Sequence, residues 1–169
     1  MPWVSDVATI VQAWFPGQEA EHSIADMLLG KVTPGGKLPV NFPKRLEDCP
    51  ANLNFPGDLI NRVVEYQEGI YIGYRHFDRL PESVLFPFGF GLSYTEFEID
   101  AERVEISTQD VIEGEKPLNV TVAIRNTGQV NGSEVVQVYA SFGDSRFSVY
   151  RPTKEFCGFA RIELESGTE

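Results

Sequence analysis

The chain has 169 residues, of which 42% are hydrophobic, and its formal net charge is −11. This length suits one or two small domains, and the hydrophobic fraction is high enough for a packed core, which argues against a disordered chain. The excess of carboxylates argues against nucleic acid, whose phosphates require Lys and Arg in excess, and against anionic membrane surfaces. Such acidity suits a neutral substrate or a cation, or it serves only solubility.

The cysteines and the N-terminus say little about the compartment. Cys49 and Cys157 are far apart and form no CxxC pair, so we expect free thiols, although one disulfide is feasible. No apolar run approaches the twenty or so residues that cross a membrane. The opening "MPWVSDVATIVQ" lacks the basic region of a signal peptide. The sequence leaves cytoplasmic and secreted locations open.

The first forty residues have the pattern of a β-α-β unit. Val7–Phe15 is a nearly continuous apolar run rich in β-branched residues, which predicts a buried strand of a parallel sheet. After a Pro-Gly turn, "EAEHSIADMLLG" has acidic residues in its first turn, helical apolar spacing and a terminal Gly30, which together predict a helix. A Pro-Gly-Gly turn then precedes a short predicted strand at Leu38–Phe42. This segment is typical of the end of an α/β domain.

The middle of the chain is less regular, and the last part is rich in predicted strands. Residues 43–65 predict a surface loop, and Val63–Asp78 predicts a strand or an extended segment. After Tyr94 come runs with period-two alternation, separated by turn signals, which predict an antiparallel β-sandwich of four or five strands. These runs are "FEIDAERVEIS", "LNVTVAIRNTG", "SEVVQVYASF" and "KEFCGFARIEL". Since an immunoglobulin-like sandwich has about seven strands, we expect an incomplete one.

Five carboxylates lie near aromatics or turns: Glu19, Glu21, Glu65, Glu68 and Asp78. Glycoside hydrolysis needs two carboxyl groups that flank one bond, but the sequence offers no way to pair these residues. Interaction with a helix N-terminus explains the first two equally well, and salt bridges, a strand edge or a turn explain the others.

Other motifs favour structural roles. No GxSxG elbow surrounds a serine, and His22 and His76 form no metal signature. The "PGG" and "GFG" segments do not match a phosphate-binding loop. The high density of aromatics indicates either a sugar site or domain packing. Asn119 and Asn131 begin sequons for N-glycosylation, which matter only in a secreted protein.

Three motifs, in this order, carry a family resemblance: "AWFPGQEAEHSIADMLLGKVTPGGKLPVNFPK", "YQEGIYIGYRHFD" and "FPFGFGLSYTEFE". Together they resemble the C-terminal part of a glycoside hydrolase family 3 β-glucosidase of fungal type. The resemblance implies a parent with a barrel that carries an aspartate nucleophile, an α/β-sandwich domain that supplies a glutamate acid/base, and a fibronectin-type-III-like β-sandwich. It implies retaining hydrolysis through a covalent glycosyl-enzyme, with no metal or cofactor.

Carried over position by position, the resemblance assigns no catalytic residue to this chain, because both carboxylates are expected upstream of it. It implies an α+β fragment: residues 1–85 end the α/β sandwich with its connecting segment, and residues 86–169 form a truncated fibronectin-type-III-like sandwich. "PFGFGLSYTEF" is then a structural hinge between them, in which glycines allow sharp turns and aromatics fix the β-sandwich. The predicted hinge residues are Pro87, Gly89, Gly91, Tyr94 and Phe97.

The leading hypothesis is therefore the C-terminal portion of a β-glucosidase, inactive alone, whose parent acts on β-glucosides or short β-glucan oligosaccharides and forms a homo-oligomer or a monomer. The first alternative is a non-catalytic carbohydrate-binding or interaction module, in which Tyr71→Ala or Tyr74→Ala would abolish binding. The second is part of a family 3 β-xylosidase or N-acetylglucosaminidase.

Overall fold

The computed structural model describes residues 1–107, 119–141, 143 and 150–169. Within these residues the chain forms two α-helices and six strands. The helices are α1 (Ala20–Leu28) and α2 (Tyr74–Phe77); the strands are β1 (Phe42–Pro43), β2 (Val84–Phe86), β3 (Phe97–Ser107), β4 (Asn119–Asn126), β5 (Gly132–Ala140) and β6 (Glu155–Leu164). Short 3-10 turns lie at Val4–Asp6, Leu46–Asp48, Pro50–Leu53 and Pro81–Ser83.

The described strands form three two-stranded sheets: β1 with β2, β3 with β4, and β5 with β6. The β3–β4 pair is antiparallel and runs from Phe97 opposite Asn126 to Ser107 opposite Asn119. Its register shifts after Asp100, whose Oδ1 accepts the backbone N–H groups of Glu102 and Arg103 at 3.0 and 3.2 Å. The aspartate thus satisfies the backbone donors that the bulge removes from the ladder.

The chain divides into two compact units. The first contains residues 1–15, 36–91 and 135–160, and the second contains residues 16–35, 92–134 and 161–169. Strands β5 and β6 each contribute residues to both units. The chain passes between units several times, and the predicted domain limits at residues 85 and 86 stay a prediction.

Helix α1 confirms the helix predicted from the periodicity. Glu21 lies in its first turn, and the backbone N–H of Leu29 donates to the oxygen of Ala25 at 2.9 Å. Gly30 follows with a φ of +71° and donates its N–H to the oxygen of Met27 at 3.0 Å. A left-handed glycine after the last turn is the usual way to end a helix, because glycine has no Cβ to oppose that conformation.

Three of the predicted strands or extended segments differ in the structure. The segment Val63–Asp78 forms no strand and contains helix α2. Residues 7–15 form no hydrogen-bonded strand, and the prediction of a strand there was wrong. A parallel strand needs neighbouring strands for its backbone groups, and the described part of the chain pairs none with this segment. The strand predicted at Leu38–Phe42 is reduced to β1, which pairs with β2.

The first unit is organised around aromatic side chains. The ring of Tyr74, on α2, stacks on Phe88 with centroids 5.4 Å apart and meets Tyr139 edge-on at 5.8 Å. Phe156 meets both Phe88 and Tyr139 edge-on, at 5.7 and 5.5 Å. Its backbone N–H donates to the Tyr74 hydroxyl at 2.7 Å. The aromatic density of this part of the sequence thus serves internal packing.

The second unit is held together by a buried asparagine at the end of β4. Asn126 has no exposed surface. Its Oδ1 accepts the hydroxyl of Thr95 at 2.6 Å and the N–H of Gly128 at 3.1 Å. Its Nδ2 donates to the oxygens of Val130 at 2.9 Å and Leu164 at 3.2 Å. One side chain therefore ties the start of β3, the turn after β4 and the end of β6.

Candidate functional site

The first unit contains a groove of about 490 Å³ beside α2. Its walls come from the 3-10 turns at Leu46–Asp48 and Pro50–Leu53, from the segment before α2 and from the residues after it. Its lining includes the rings of Tyr71 and Tyr150 and the carboxylates of Asp48 and Glu68, beside aliphatic and polar side chains. The side chains that line this groove are therefore the first candidates for catalytic or sugar-binding roles.

Tyr71 forms the most fixed part of the groove. It is 9% exposed, and its hydroxyl donates to the backbone oxygen of Arg151 at 3.0 Å. The Arg79 guanidinium lies 4.4 Å from the centre of its ring, and Tyr150 meets the ring edge-on at 4.9 Å. Burial, followed by the neighbouring Tyr150 hydroxyl, raises the pKa of Tyr71. The ring is held by packing on its sides, so no open face remains on which a sugar could stack.

Two acidic residues of the groove, Asp48 and Glu68, have different surroundings. Asp48 pairs with the Arg45 guanidinium at 3.0 Å, and the hydrogen bond from that guanidinium lowers the pKa of Asp48. A general acid needs the opposite shift. Glu68 is half-buried, and its Oε2 has no hydrogen-bond partner among the described residues. The groove thus holds the ion-paired Asp48, the half-buried Glu68 and the exposed Glu47.

The other predicted carboxylates lie outside this groove. Glu19 accepts from the His22 ring at 2.9 Å on the surface of the second unit, where Glu21 is also exposed. Glu65 is exposed in the first unit, and Asp78 pairs with Lys154 Nζ at 3.2 Å. The structure therefore gives these residues surface or ion-pair roles.

His76 and Cys49 also line the groove. The His76 ring meets Phe77 edge-on at 5.1 Å. Cys49 and Cys157 carry free thiols, and burial, followed by the charges of Asp48 and its neighbour Glu47, raises the pKa of Cys49. Among the described residues no three potential metal ligands lie together. None of their helices has the length and apolar character to span a membrane.

The first three predicted hinge residues form a tight turn in the first unit. The backbone oxygen of Pro87 accepts the N–H of Phe90 at 3.1 Å. Gly89 has a φ of +81°, and a Cβ on it would lie 2.5 Å from the Gln137 side chain. A Cβ on Gly91 would lie 2.3 Å from the backbone oxygen of Gly36. The turn therefore requires glycine at residue 89 for its conformation and at residue 91 for a close backbone approach.

The last two predicted hinge residues belong to the second unit, which the chain enters after Gly91. The Tyr94 hydroxyl donates to the backbone oxygen of Met27, on α1, at 2.9 Å. Phe97 is the first residue of β3 and pairs with Asn126. Tyr94 thus anchors the segment to α1, and Phe97 begins the ladder. Their hinge role stays a prediction.

The sequence reasoning missed two polar centres, Asn126 and Asp58. Asn126 ends β4 and is followed by "TG", a turn signal that was used only to separate strands. Asp58 accepts the backbone N–H groups of Ile60 and Asn61 at 2.9 and 3.0 Å, which fixes a loop. The signal for it was "GDLIN", a glycine and an aspartate that favour an Asx turn.

Comparison with known families decides the relationship. Residues 1–94 match the sequence profile of the glycosyl hydrolase family 3 C-terminal domain, and residues 134–169 match that of the fibronectin type III-like domain. The chain belongs to glycosyl hydrolase family 3. The predicted family resemblance and the predicted fold class are thereby confirmed.

Among its relatives in family 3, this chain is 46% identical to β-glucosidase B of Emericella nidulans over an alignment of 178 positions. The alignment covers 99% of this chain and 20% of that protein. It is 42% identical to a β-glucosidase of Bacteroides ovatus, with 97% of this chain and 22% of that protein covered. The crystal structure of the Kluyveromyces marxianus β-glucosidase in complex with glucose superposes with a TM-score of 0.85 at 43% identity, covering 98% of this chain and 19% of that one. The chain thus spans about a fifth of the length of the relatives it matches.

Proposed function

We propose that this chain is the C-terminal portion of a retaining β-glucosidase that removes terminal β-D-glucosyl residues from β-glucosides or short β-glucan oligosaccharides. The observation that carries the proposal is the match of nearly the whole chain to about a fifth of several β-glucosidases. A solved relative of the same fold is a complex with glucose. These names support glucose over xylose or N-acetylglucosamine as the sugar.

The proposed role of this portion is structural. Retaining hydrolysis needs two carboxyl groups about 5 to 5.5 Å apart, of which one acts as nucleophile and the other as acid and then base. Asp48 and Asp78 are engaged with cations, and Glu19 and Glu65 lie on the surface. We therefore place both catalytic carboxylates in the upstream part of the parent, and we expect the chain to be inactive by itself.

The packing of the aromatics supports this role over that of a carbohydrate-binding module. Sugar stacking requires an open ring face. Tyr71 is almost fully buried, and Tyr74 stacks on Phe88. Tyr71→Ala or Tyr74→Ala should therefore destabilise the first unit rather than remove a sugar site.

Within the parent, we propose that residues 1–85 complete an α/β-sandwich domain, that residues 86–169 form most of the fibronectin-type-III-like domain, and that residues 87–97 join them. The family profile at residues 1–94 and the fibronectin type III-like profile at residues 134–169 support this division. The tight turn at Gly89 and Gly91 supports the joining role, since a side chain at either position would clash. Homo-oligomerisation of the parent stays a prediction that sedimentation would test.

The assignment of the carboxylates can be tested in a chimaera. Residues 1–169 replace the matching C-terminal part of the K. marxianus β-glucosidase, and Glu19→Gln, Glu68→Gln and Asp78→Asn are introduced singly. We expect kcat on p-nitrophenyl β-D-glucoside to stay within about threefold of the parent chimaera. Loss of a true general acid costs about 10²- to 10⁴-fold, so a loss of that size in any variant would overturn the proposed role.

A further inference from the structure

The segment before α2 contains a loop that its own side chains hold in one conformation. Asp58 and Val63 exchange backbone hydrogen bonds, with the N–H of Asp58 2.8 Å from the oxygen of Val63 and the reverse pair at 3.1 Å. Inside this closed loop the Asp58 carboxylate accepts the N–H groups of Ile60 and Asn61 and the side-chain amide of Asn61 at 2.6 Å.

The backbone beside the loop is equally constrained. Arg62 has a φ of +56°, which is uncommon for a residue with a Cβ. Gly57 has a φ of +83°, and a Cβ on it would lie 2.4 Å from the oxygen of Val63. Such a conformation persists where surrounding contacts determine it. The hydrogen bonds of Asp58 supply those contacts.

The constrained loop presents aliphatic side chains to water. At its tip, Leu59 is 74% exposed and Ile60 is 92% exposed. A hollow of about 690 Å³ beside it is lined in part by Leu53, Phe55 and Val63, each of which is also largely exposed. Exposed apolar groups can mark interaction sites, and Leu59 and Ile60 are adjacent in the chain. A loop that fixes two aliphatic residues outward is therefore a preorganised contact element, which we name the 58–63 loop.

We propose that Leu59 and Ile60 insert into an apolar cleft on the upstream, catalytic part of a family 3 parent, and so fasten this chain to it. The inference rests on the proposed function, since it names where the C-terminal portion contacts the rest. The relatives are about five times as long as this chain, so the rest of the parent is a large covalently linked partner.

The chemistry of the loop favours this occupant over the alternatives. Aliphatic side chains offer a sugar no flat aromatic face. Two of them bury far less than the roughly 1,200 Å² typical of a stable interface between separate copies. A covalently linked partner needs no such area, because its effective concentration is already high.

The chimaera with the K. marxianus enzyme tests the proposal. The variants are Leu59→Asp/Ile60→Asp, a conservative Ile60→Val, and the control Val130→Asp, which charges an aliphatic side chain that is 42% exposed in the second unit. Two readouts are taken: the temperature of half-inactivation of glucosidase activity, and the rate at which trypsin cuts after Arg62.

We expect the double variant to lower the half-inactivation temperature by about 5 °C and to accelerate the cut after Arg62 by at least about tenfold. Ile60→Val and Val130→Asp should change neither readout. In the isolated chain all variants should be cut equally fast and unfold at the same urea concentration, because the tip side chains there face water. Such a pattern separates docking from a folding defect.

Three results would overturn the inference. A double variant indistinguishable from Val130→Asp, in an active chimaera, would refute the docking role and leave the proposed function intact. The inference would also be refuted if the isolated chain forms a dimer, the double variant dissociates that dimer, and the chimaera is unaffected. The loop would then contact a second copy of the chain. An inactive parent chimaera, beside an active K. marxianus enzyme, would refute the proposed function and with it this inference.

Discussion

Replacing Asn126 with alanine tests the packing of the second unit most severely. The side chain makes four hydrogen bonds and has no exposed surface. Alanine removes all four and creates no steric conflict. The partner that suffers most is the Thr95 hydroxyl, which is 7% exposed and cannot reach water. Gly128, Val130 and Leu164 are more exposed and can be rehydrated in part.

The magnitude follows from these exposures. A buried donor left without an acceptor costs about 1 to 3 kcal/mol, and each of the other lost bonds contributes about 0.5 to 1.5 kcal/mol. Partial rehydration reduces the total, so we expect Asn126→Ala to lower the free energy of unfolding by about 3 to 4 kcal/mol. For a chain of this size that corresponds to a fall in Tm of about 10 °C.

Urea unfolding of the 169-residue chain, followed by circular dichroism, measures this cost. Circular dichroism is the appropriate signal because Trp3 and Trp14 both lie in the first unit, whereas Asn126 lies in the second. Thr127→Ala is the matched control: its hydroxyl bond to the oxygen of Glu96 is exposed, so we expect a loss of less than about 0.5 kcal/mol.

A double-mutant cycle sharpens the test. In Thr95→Val the hydroxyl is gone, so adding Asn126→Ala should cost at least about 1 kcal/mol less than it does in the parent chain. If Asn126→Ala costs no more than Thr127→Ala, or if the two changes are additive, the network does not hold the second unit together and the reasoning fails.

Three further predictions concern the first unit. The hydrogen bonds that Asp58 accepts lower its pKa. The loop order that these bonds support should therefore be complete above the unfolded pKa of about 3.9 and lost as the pH falls through the lower folded pKa. An NMR titration of the two donating amides should give a midpoint below about 3.9, and a midpoint at or above that value would contradict this account. Gly91→Ala should destabilise the chimaera by about 1 to 3 kcal/mol without shifting its pH–activity profile, because the new Cβ meets the backbone of Gly36. Gly36→Ala is the control, since a Cβ there has nothing within 4 Å. Equal half-inactivation temperatures for the two variants would refute the close approach. Tyr74→Phe should lower the free energy of unfolding in urea by about 1 to 3 kcal/mol, because it leaves the backbone N–H of Phe156 without an acceptor. Tyr66→Phe is the control: this side chain is 88% exposed, so its change should have no measurable effect. An unchanged free energy of unfolding in Tyr74→Phe would show that the bond does not contribute.

Local patterning was sufficient for most of the regular elements. The alternation of "FEIDAERVEIS" predicts β3 with the bounds that the structure has, and the apolar spacing before Gly30 predicts α1. The backbone N–H and C=O groups of these elements form hydrogen bonds within the helix or with one antiparallel strand nearby in the chain. The strand prediction for residues 7–15 was wrong because a buried parallel strand forms only beside neighbouring strands, and the sequence of the segment does not show whether such neighbours are present.

The candidate site was less predictable because it depends on long-range contacts. The sequence could not tell whether Tyr71 offers its ring to a sugar or packs it against the protein, since the contacts with Tyr150 and with the backbone of Arg151 come from a distant part of the chain. The same limit applies to Asp78, whose partner Lys154 is distant in sequence. Carboxylate and aromatic residue types are compatible with sugar chemistry, but their ring contacts and ion pairs can be read only from the fold.

The central claim, that this chain completes a β-glucosidase and contains none of its catalytic carboxylates, is tested most directly by nitrophenol release from p-nitrophenyl β-D-glucoside. The purified 169-residue chain is assayed beside the chimaera that joins it to the upstream part of the K. marxianus enzyme. We predict turnover by the chimaera and no release above buffer by the chain alone. Turnover by the isolated chain would contradict the claim and make Glu19, Glu68 and Asp78 the first residues to replace.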